Sequence, residues 1–306
     1  MKGTSKVLIT GASGYLGRPL CDRLRAGRVI PLYNNSQMDG GRRFDALTMR
    51  LEDVITSGDG ISHGLIYHAD SSPNACSEDF EKSNALNIES CISVVDSLIN
   101  LGIKPVFASS EAVFGQDKMG PYVEADRPEP VFAYGRQKLS VEDYIQANCD
   151  DYLIVRIARV IGSGAEDPTG FEYWLNEIER DGTIRCASDQ IMSPVCRDDA
   201  TEGVARLIEL DKSGTYHLPG ARPIMRVDLL QLLLDEAQRV RDVDVRVEQC
   251  SLHDFPVIER RPLNSTMDAS KIISETGIVL TPYEDICRSL ATGLLSLRVA
   301  NFGNQG

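Results

Sequence analysis

The sequence predicts an α/β fold, a doubly wound parallel sheet followed by a smaller α/β domain. Three observations carry this prediction. Apolar runs of strand length alternate with amphipathic helical stretches through the first half of the chain; the first such run breaks into glycines at three-residue intervals; and the pattern becomes less regular after residue 164. Strand–helix alternation implies parallel strands with helices on both faces, and ligands then bind beyond the carboxyl ends of the strands. With 306 residues the chain can bury a core for such a sheet and a second, smaller one.

Val7, Leu8 and Ile9 form the first apolar run, continuous as in a parallel strand buried on both faces. Thr10-Gly11-Ala12-Ser13-Gly14-Tyr15-Leu16-Gly17 follows, and Leu20 and Leu24 then begin a helical stripe. Strand, glycine turn and helix in this order predict a dinucleotide site. Gly11 makes the tight turn, Gly14 leaves no side chain between backbone and pyrophosphate, and Gly17 lets helix and strand pack closely. The turn from Ser13 through Tyr15 and Leu16 delivers the pyrophosphate to the helix N-terminus, whose free N–H groups favour an anion. Pro19 lacks an N–H, so it suits the first helical turn or a local kink.

Arg28–Tyr33 reads as the second strand, and its end is where a nicotinamide cofactor is chosen. A carboxylate there would hold the adenosine ribose hydroxyls. Asn34 stands in its place, with Arg42 and Arg43 nearby, which favours the 2′-phosphate of NADP(H) over NAD(H). Residues 42–47 suggest a short third strand in which Asp45 caps a helix or accepts from the adenine amine. Leu65–Ala69 is the next run and brings Ala69 to the cofactor. An amphipathic helix is expected over 78–102, with Ile88, Cys91, Val95 and Leu98 at helical spacing, before Ile103–Ser110 resumes as a strand. The glycine turn, residues 68–72 and Ser109–Ser110 therefore share the carboxyl edge of the sheet.

Leu153–Gly162 reads as a further strand that breaks into a Gly-Ser-Gly loop. Beyond it, residues 171–180, 197–210, 227–240 and 283–298 read as helices, with short strands at 215–218 and 243–247. The chain thus divides into a dinucleotide-binding domain, 1–164, and a mainly substrate-binding domain, 165–306, with some segments returning to the first.

A net charge of −13 repels nucleic acid and anionic membranes at long range, so neither is expected as a partner and any phosphate site must be local. No stretch is apolar enough to span a bilayer, and the N-terminus lacks the layout of a signal peptide, which predicts a cytoplasmic protein. The eight cysteines lack C-x-x-C spacing and read as buried thiols; the four histidines share no ligand spacing, so no metal is expected.

Tyr134 and Lys138 stand one helical turn apart, on one face. An unperturbed phenol titrates at about 10, so a neighbouring ammonium makes it a usable acid or base near neutrality. Lys138 also suits the nicotinamide ribose, and the Ser109–Ser110 strand end offers a hydroxyl for a substrate oxygen.

These residues together resemble the extended short-chain dehydrogenase/reductases, and more narrowly the dTDP-4-dehydrorhamnose reductase branch. Gly11–Gly17 matches the superfamily's Gly-x-x-Gly-x-x-Gly loop, Tyr134 with Lys138 its Tyr-x-x-x-Lys pair, and Ser109-Ser110-Glu111-Ala112-Val113-Phe114-Gly115 its Ser/Thr segment. Asn87 is similar to the family's structural asparagine. Ser193-Pro194, Asp198-Asp199-Ala200 and Arg261-Pro262-Leu263-Asn264-Ser265-Thr266-Met267-Asp268 resemble the reductase branch. The resemblance implies a Rossmann-type sheet, a nicotinamide cofactor and a nucleotide-sugar substrate. It further implies catalysis by Ser110, Tyr134 and Lys138, with Glu111, Arg159 and Arg261 on the substrate side.

Two departures matter. A 4,6-dehydratase carries an Asp-Glu pair where this chain has Glu111-Ala112, which disfavours elimination of water. The reductases usually place an aromatic residue at Ala112 and a tryptophan at Arg159. The leading expectation is a nucleotide-sugar keto reductase. A nucleotide-sugar epimerase with tightly bound NAD and a non-catalytic NADP-binding regulatory subunit are the alternatives, and a homodimer is compatible with the sequence.

Overall fold

Val7 and Ile9 enter one core and Leu8 another, all nearly inaccessible, so the first strand is buried on both faces. The computed structural model describes residues 5–25, 27–115 and 118–302. In chain order the elements are β1 (Lys6–Thr10), α1 (Gly17–Leu24), β2 (Val29–Tyr33), β3 (Arg42–Arg43), β4 (Ile61–Ile66), α2 (Pro73–Glu78), α3 (Phe80–Asn84), α4 (Ser90–Asn100), β5 (Lys104–Ser110), α5 (Ala133–Asn148), β6 (Leu153–Ile157), β7 (Val160–Ile161), α6 (Glu172–Glu179), β8 (Thr183–Ala187), β9 (Ile191–Met192), β10 (Val195–Cys196), α7 (Arg197–Glu209), β11 (Gly214–Leu218), β12 (Ile224–Met225), α8 (Arg226–Val240), β13 (Arg246–Cys250), α9 (Ser270–Thr276) and α10 (Tyr283–Phe302).

Seven parallel strands form the main sheet in the order β11-β6-β5-β4-β1-β2-β3. The order reverses between β1 and β4, which opens a crevice at their carboxyl ends. On one face Val7, Ile9, Val106 and Val155 pack with Leu20 and Leu24 of α1, Val204 and Leu207 of α7 and Ile272 of α9. On the other, Leu8, Leu32, Phe107 and Ile154 meet Val94 and Leu98 of α4 and Val141 and Ile145 of α5. A separate core joins α6, α8 and α10 to β8 through Trp174, Ile178, Ile184, Leu230, Leu233 and Ile286. Among the described residues no helix is long and apolar enough to cross a membrane.

Several elements depart from the sequence expectation for identifiable reasons. The helix expected over 78–102 starts at Pro73, where Ser72 caps it by accepting from Ala75 N–H. It breaks at Asp79, which caps the next segment, and carries a π-turn at Ala85–Glu89. Such turns widen a helix locally and recur at functional sites. The third strand is only Arg42–Arg43, because Asp45 turns the chain by accepting from Leu47 N–H at 3.1 Å. The strand read as Leu153–Gly162 is two strands in two sheets, broken at Ala158–Arg159: β6 pairs with β5 and β11, β7 with β10. The strand expected at 243–247 lies three residues later, where Arg246–Cys250 pairs with Thr183–Ala187. Pro19 sits in the first turn of α1, as its missing N–H requires.

One ion pair is buried inside the main sheet's packing. The Arg156 guanidinium, on β6, donates to both oxygens of Glu142 on α5, at 2.7 and 3.1 Å, and both side chains are almost fully inaccessible. Ser109 donates to the same carboxylate, and Arg156 lies 5.1 Å from the Phe114 ring centroid.

Candidate active site

Tyr134 is brought to Ser110 by a close helix approach. A Cβ on Gly135 would stand 2.0 Å from the Ala112 carbonyl oxygen, so only glycine lets the first turn of α5 lie against the turn that follows β5. That turn is short because the Ser110 hydroxyl accepts from Ala112 N–H at 3.2 Å. Glu259 caps α5, accepting from Ala133 N–H at 2.7 Å and pairing with Arg136. The Ser110 hydroxyl lies near enough to the Tyr134 phenol to draw its pKa down against burial. Ser109, its neighbour, is buried and committed to Glu142, so Ser110 is the serine available to a substrate.

Lys138 follows one turn later. Its buried ammonium donates to the Ala108 carbonyl at 2.8 Å and lies 4.7 Å from the Phe107 ring centroid and 5.7 Å from that of Tyr134. Burial pushes the Tyr134 phenol above its ordinary value, against the influence of the Ser110 hydroxyl, and pushes the Lys138 ammonium down. The electrostatics therefore differ from the expectation of a lysine-stabilised phenolate: the phenol keeps its proton at neutral pH, which suits a donor.

Behind this group the loop after β4 is braced from both sides. Asn87, in the π-turn, accepts from Asp70 N–H at 2.8 Å and donates to the Asp70 carbonyl at 2.9 Å and to Gln137 at 2.7 Å. His68 bridges Thr10 at 2.8 Å and Ser90 at 2.9 Å, and burial lowers its pKa to about 4, so the ring is neutral. These contacts hold Ala69, half-buried between them, at the crevice.

The glycine turn lies across the same edge. Gly14 N–H donates to the Gly11 carbonyl at 2.9 Å, and a Cβ on Gly17 would lie 2.4 Å from that carbonyl oxygen. Ser13 is half-buried, Gly14 and Tyr15 are exposed, and Leu16 packs on the core just ahead of α1. The Tyr15 hydroxyl reaches across to Asp167 at 2.5 Å, and Asp167 also pairs with Arg197 at 3.1 Å. Sequence reasoning missed this bridge, whose ends are 152 residues apart.

Asn34 is exposed just past β2. Arg42 corrects an expectation. Its guanidinium is gripped by Asp59 at 2.6 and 3.0 Å and donates to the Val54 carbonyl at 2.7 Å, so its donors are committed within the protein. Arg43, exposed and opposite Tyr33 in the β2–β3 register, is the available cation of that pair. Asp45 serves its own turn.

On the opposite side of the crevice, Glu111 follows Ser110 directly. One oxygen of its carboxyl is buried without a hydrogen-bond partner, and burial raises its pKa to about 7 against the lowering influence of the neighbouring Arg159 and Ser265. A carboxyl whose folded pKa is raised stabilises the fold below its unfolded pKa and loses that stabilisation as pH rises through the folded value. Relative to Glu111→Gln, the wild type should therefore lose melting temperature between the ordinary carboxylate range and about pH 7. Thermal melts across that window check this; a constant difference would mean an ordinary carboxyl.

Arg159 is exposed and its side chain pairs with no acid among the described residues. Arg261 donates to Asn74 at 2.7 Å and lies 4.5 Å over the Phe132 ring, with one terminal nitrogen buried and unpartnered. Asn264 holds the following turn by donating to the Gly120 carbonyl at 3.0 Å and accepting from Thr266. Asp199 ties α7 to Thr281 at 2.6 and 2.9 Å, a structural task.

Comparison with known proteins places these features in context. A dTDP-4-dehydrorhamnose reductase from Aggregatibacter actinomycetemcomitans is 25% identical over 304 residues, covering 94% of this chain and 98% of that one. The solved structure of a hypothetical dTDP-4-dehydrorhamnose reductase from Sulfolobus tokodaii aligns with a TM-score of 0.76 at 27% identity, over 92% of this chain and 98% of its own. A dTDP-4-dehydrorhamnose reductase from Bacillus anthracis, solved in complex with NADP, shares the fold with a TM-score of 0.73 at 20% identity, over 97% of this chain and 99% of its own. The family described as RmlD substrate binding domain matches residues 5–294, a span that takes in the glycine turn, the Ser110–Tyr134–Lys138 group and the 261–268 segment alike, and the chain belongs to that family.

Proposed function

We propose that the protein is a reductase that uses a nicotinamide cofactor to reduce a keto group on a nucleotide-linked sugar. The observation that carries this reading is the convergence of Ser110, a protonated Tyr134 and Lys138 on the sheet edge that also bears the glycine turn. Family membership and the names of its reductase relatives support the substrate class.

The donor set fits a dinucleotide. The turn from Gly11 to Gly17 admits no Cβ at its last position and opens a helix N-terminus toward an anion. Gly14, Tyr15 and Leu16 would hold the pyrophosphate, Lys138 the nicotinamide ribose and Ala69 the loop wall. Asn34 and the unpaired Arg43 support NADP(H) over NAD(H). When bound, the nicotinamide supplies hydride to the carbonyl carbon.

The chain's own residues do the rest. Ser110 and Tyr134 donate hydrogen bonds to the keto oxygen, and Tyr134 passes its proton to it as negative charge develops. Donors aimed at a developing oxyanion contribute roughly 3 kcal/mol each, and positioned acid catalysis adds about 10²–10⁴-fold. Asn87 and His68 keep the crevice wall in place, and Glu142 with Arg156 backs the strand that ends in Ser110.

NADPH oxidation, followed at the nicotinamide absorbance with a panel of 4-keto nucleotide sugars, tests the reading. Turnover is expected with released cofactor. A co-purifying, unreleased NAD would favour an epimerase, and cofactor binding without turnover a regulatory subunit. Arg43→Ala should weaken NADPH by about tenfold and spare NADH, since a charged hydrogen bond contributes roughly 1.5–3 kcal/mol; equal loss for both would remove the phosphate role.

A further inference from the structure

Two guanidiniums, those of Arg226 and Arg185, lie over Phe255, and neither pairs with an acid among the described residues. Arg226, the first residue of α8, lies 5.5 Å from the Phe255 ring centroid and 6.0 Å from that of Trp174, and donates to Gln190 at 3.3 Å. Arg185, on β8, lies 5.6 Å from the Phe255 centroid on its own account. Arg159 flanks the same segment as Arg226: its carbonyl accepts from Val195 N–H at 3.0 Å, the Arg226 N–H donates to the Gln190 carbonyl at 2.9 Å, and the Arg159 charge reaches Arg226. Elsewhere the chain neutralises its arginines: Arg23, Arg42, Arg136, Arg156, Arg197 and Arg222 each pair with a carboxylate. With 45 acidic against 32 basic residues, acids are in surplus. Among the described residues none lies within ion-pair distance of Arg159, Arg185 or Arg226.

Glu111 lies close enough to Arg159 to feel its charge, yet burial raises its pKa to about 7, so that it is half-protonated near neutrality. It leaves the arginine charge largely uncompensated. Like charges held together in a partly desolvated wall repel, and the arrangement is favourable when an anion lies between them.

Position tells which part of the ligand that anion belongs to. Ser110 faces Ile157 in the β5–β6 register, and Arg159 lies two residues further out on the same edge, where the backbone breaks between β6 and β7. A sugar with its keto oxygen on Ser110 and Tyr134 therefore has its ring substituents beside Arg159.

Resting on the reading that the substrate is a nucleotide sugar, we propose that Arg159 and Arg226 recognise a carboxylate on the sugar ring, so that the substrate is a nucleotide-linked keto-sugar acid. Planar guanidiniums match carboxylate in a two-pronged geometry that an ammonium cannot reproduce. Ala112, small and buried beside Ser110, adds no bulk to that side of the crevice. A phosphate of the nucleotide presents the same chemistry to these arginines, and the experiment separates the two sources.

Calorimetric titration of the NADP-saturated protein would compare the bare nucleoside diphosphate, its glucose conjugate and its glucuronic acid conjugate, in uridine and thymidine series. The acid conjugate is expected to bind at least about tenfold more tightly than the neutral one, as a charge-assisted pair should. Arg159→Gln and Arg226→Gln should erase that difference and leave the bare diphosphate unchanged; Arg226→Lys, which keeps the charge and the packing on Trp174, should retain part of it. No carboxylate-dependent gain in either series overturns the proposal, and so does a matching loss for the bare diphosphate, which would assign the arginines to phosphate. The reductase reading is judged separately: NADPH oxidation of a neutral keto-sugar without charge discrimination sinks this proposal alone, whereas discrimination without hydride transfer sinks that reading alone.

Discussion

Tyr134→Phe should lower kcat by about 10²–10⁴-fold on the accepted keto-sugar while changing cofactor affinity little. The substitution removes one oxygen and keeps the ring that lies 5.7 Å from the Lys138 ammonium. What is lost is the hydroxyl beside Ser110 and the proton that burial keeps on it at neutral pH. Ser110 can still polarise a carbonyl but has no acidic proton to give. Single-turnover rates and NADPH titration by fluorescence check the split between chemistry and binding. A variant with near-normal kcat would move the acid to another residue.

Arg156→Ala should cost about 3–5 kcal/mol of stability, because it leaves the Glu142 carboxylate buried without its counter-charge. The guanidinium also fills space over Phe114 and beside His217. Urea unfolding measures the loss. Replacing both partners with apolar residues, Arg156→Met with Glu142→Leu, should recover much of it, since no charge is then stranded. A single variant within about 1 kcal/mol of the wild type would mean that water reaches the pair.

The main sheet was legible because its strands are continuous apolar runs, and the reacting group because Tyr134 and Lys138 share a helical face downstream of a glycine turn. Contacts between distant segments were harder to read. Arg42 looked free beside the end of β2, and only folding brings Asp59 onto it. Tyr15 and Asp167 meet across 152 residues of intervening chain. The Glu142–Arg156 pair did leave a trace: Arg156 is the one charge in the apolar strand Leu153–Ile157, and Glu142 continues the Tyr134–Lys138 stripe at four-residue spacing. The break at Ala158–Arg159 left none, since both flanking pieces read as strand; it arises because Val160–Ile161 pairs with Val195–Cys196 instead of continuing in the main sheet.

The last strand to join the main sheet, β11, pairs with β6 but leaves the ribosome more than fifty residues after it. Until then the β6 edge has open backbone groups, and the sheet face that α7 and α9 later cover with Val204, Leu207 and Ile272 stands bare. An unpaired strand edge and an uncovered apolar face are what nascent chains most readily aggregate through. The β6 edge therefore stays open throughout synthesis of residues 160–213, and the sheet face is fully covered only when α9 follows, so the cofactor-side half completes its packing with segments made late in the chain.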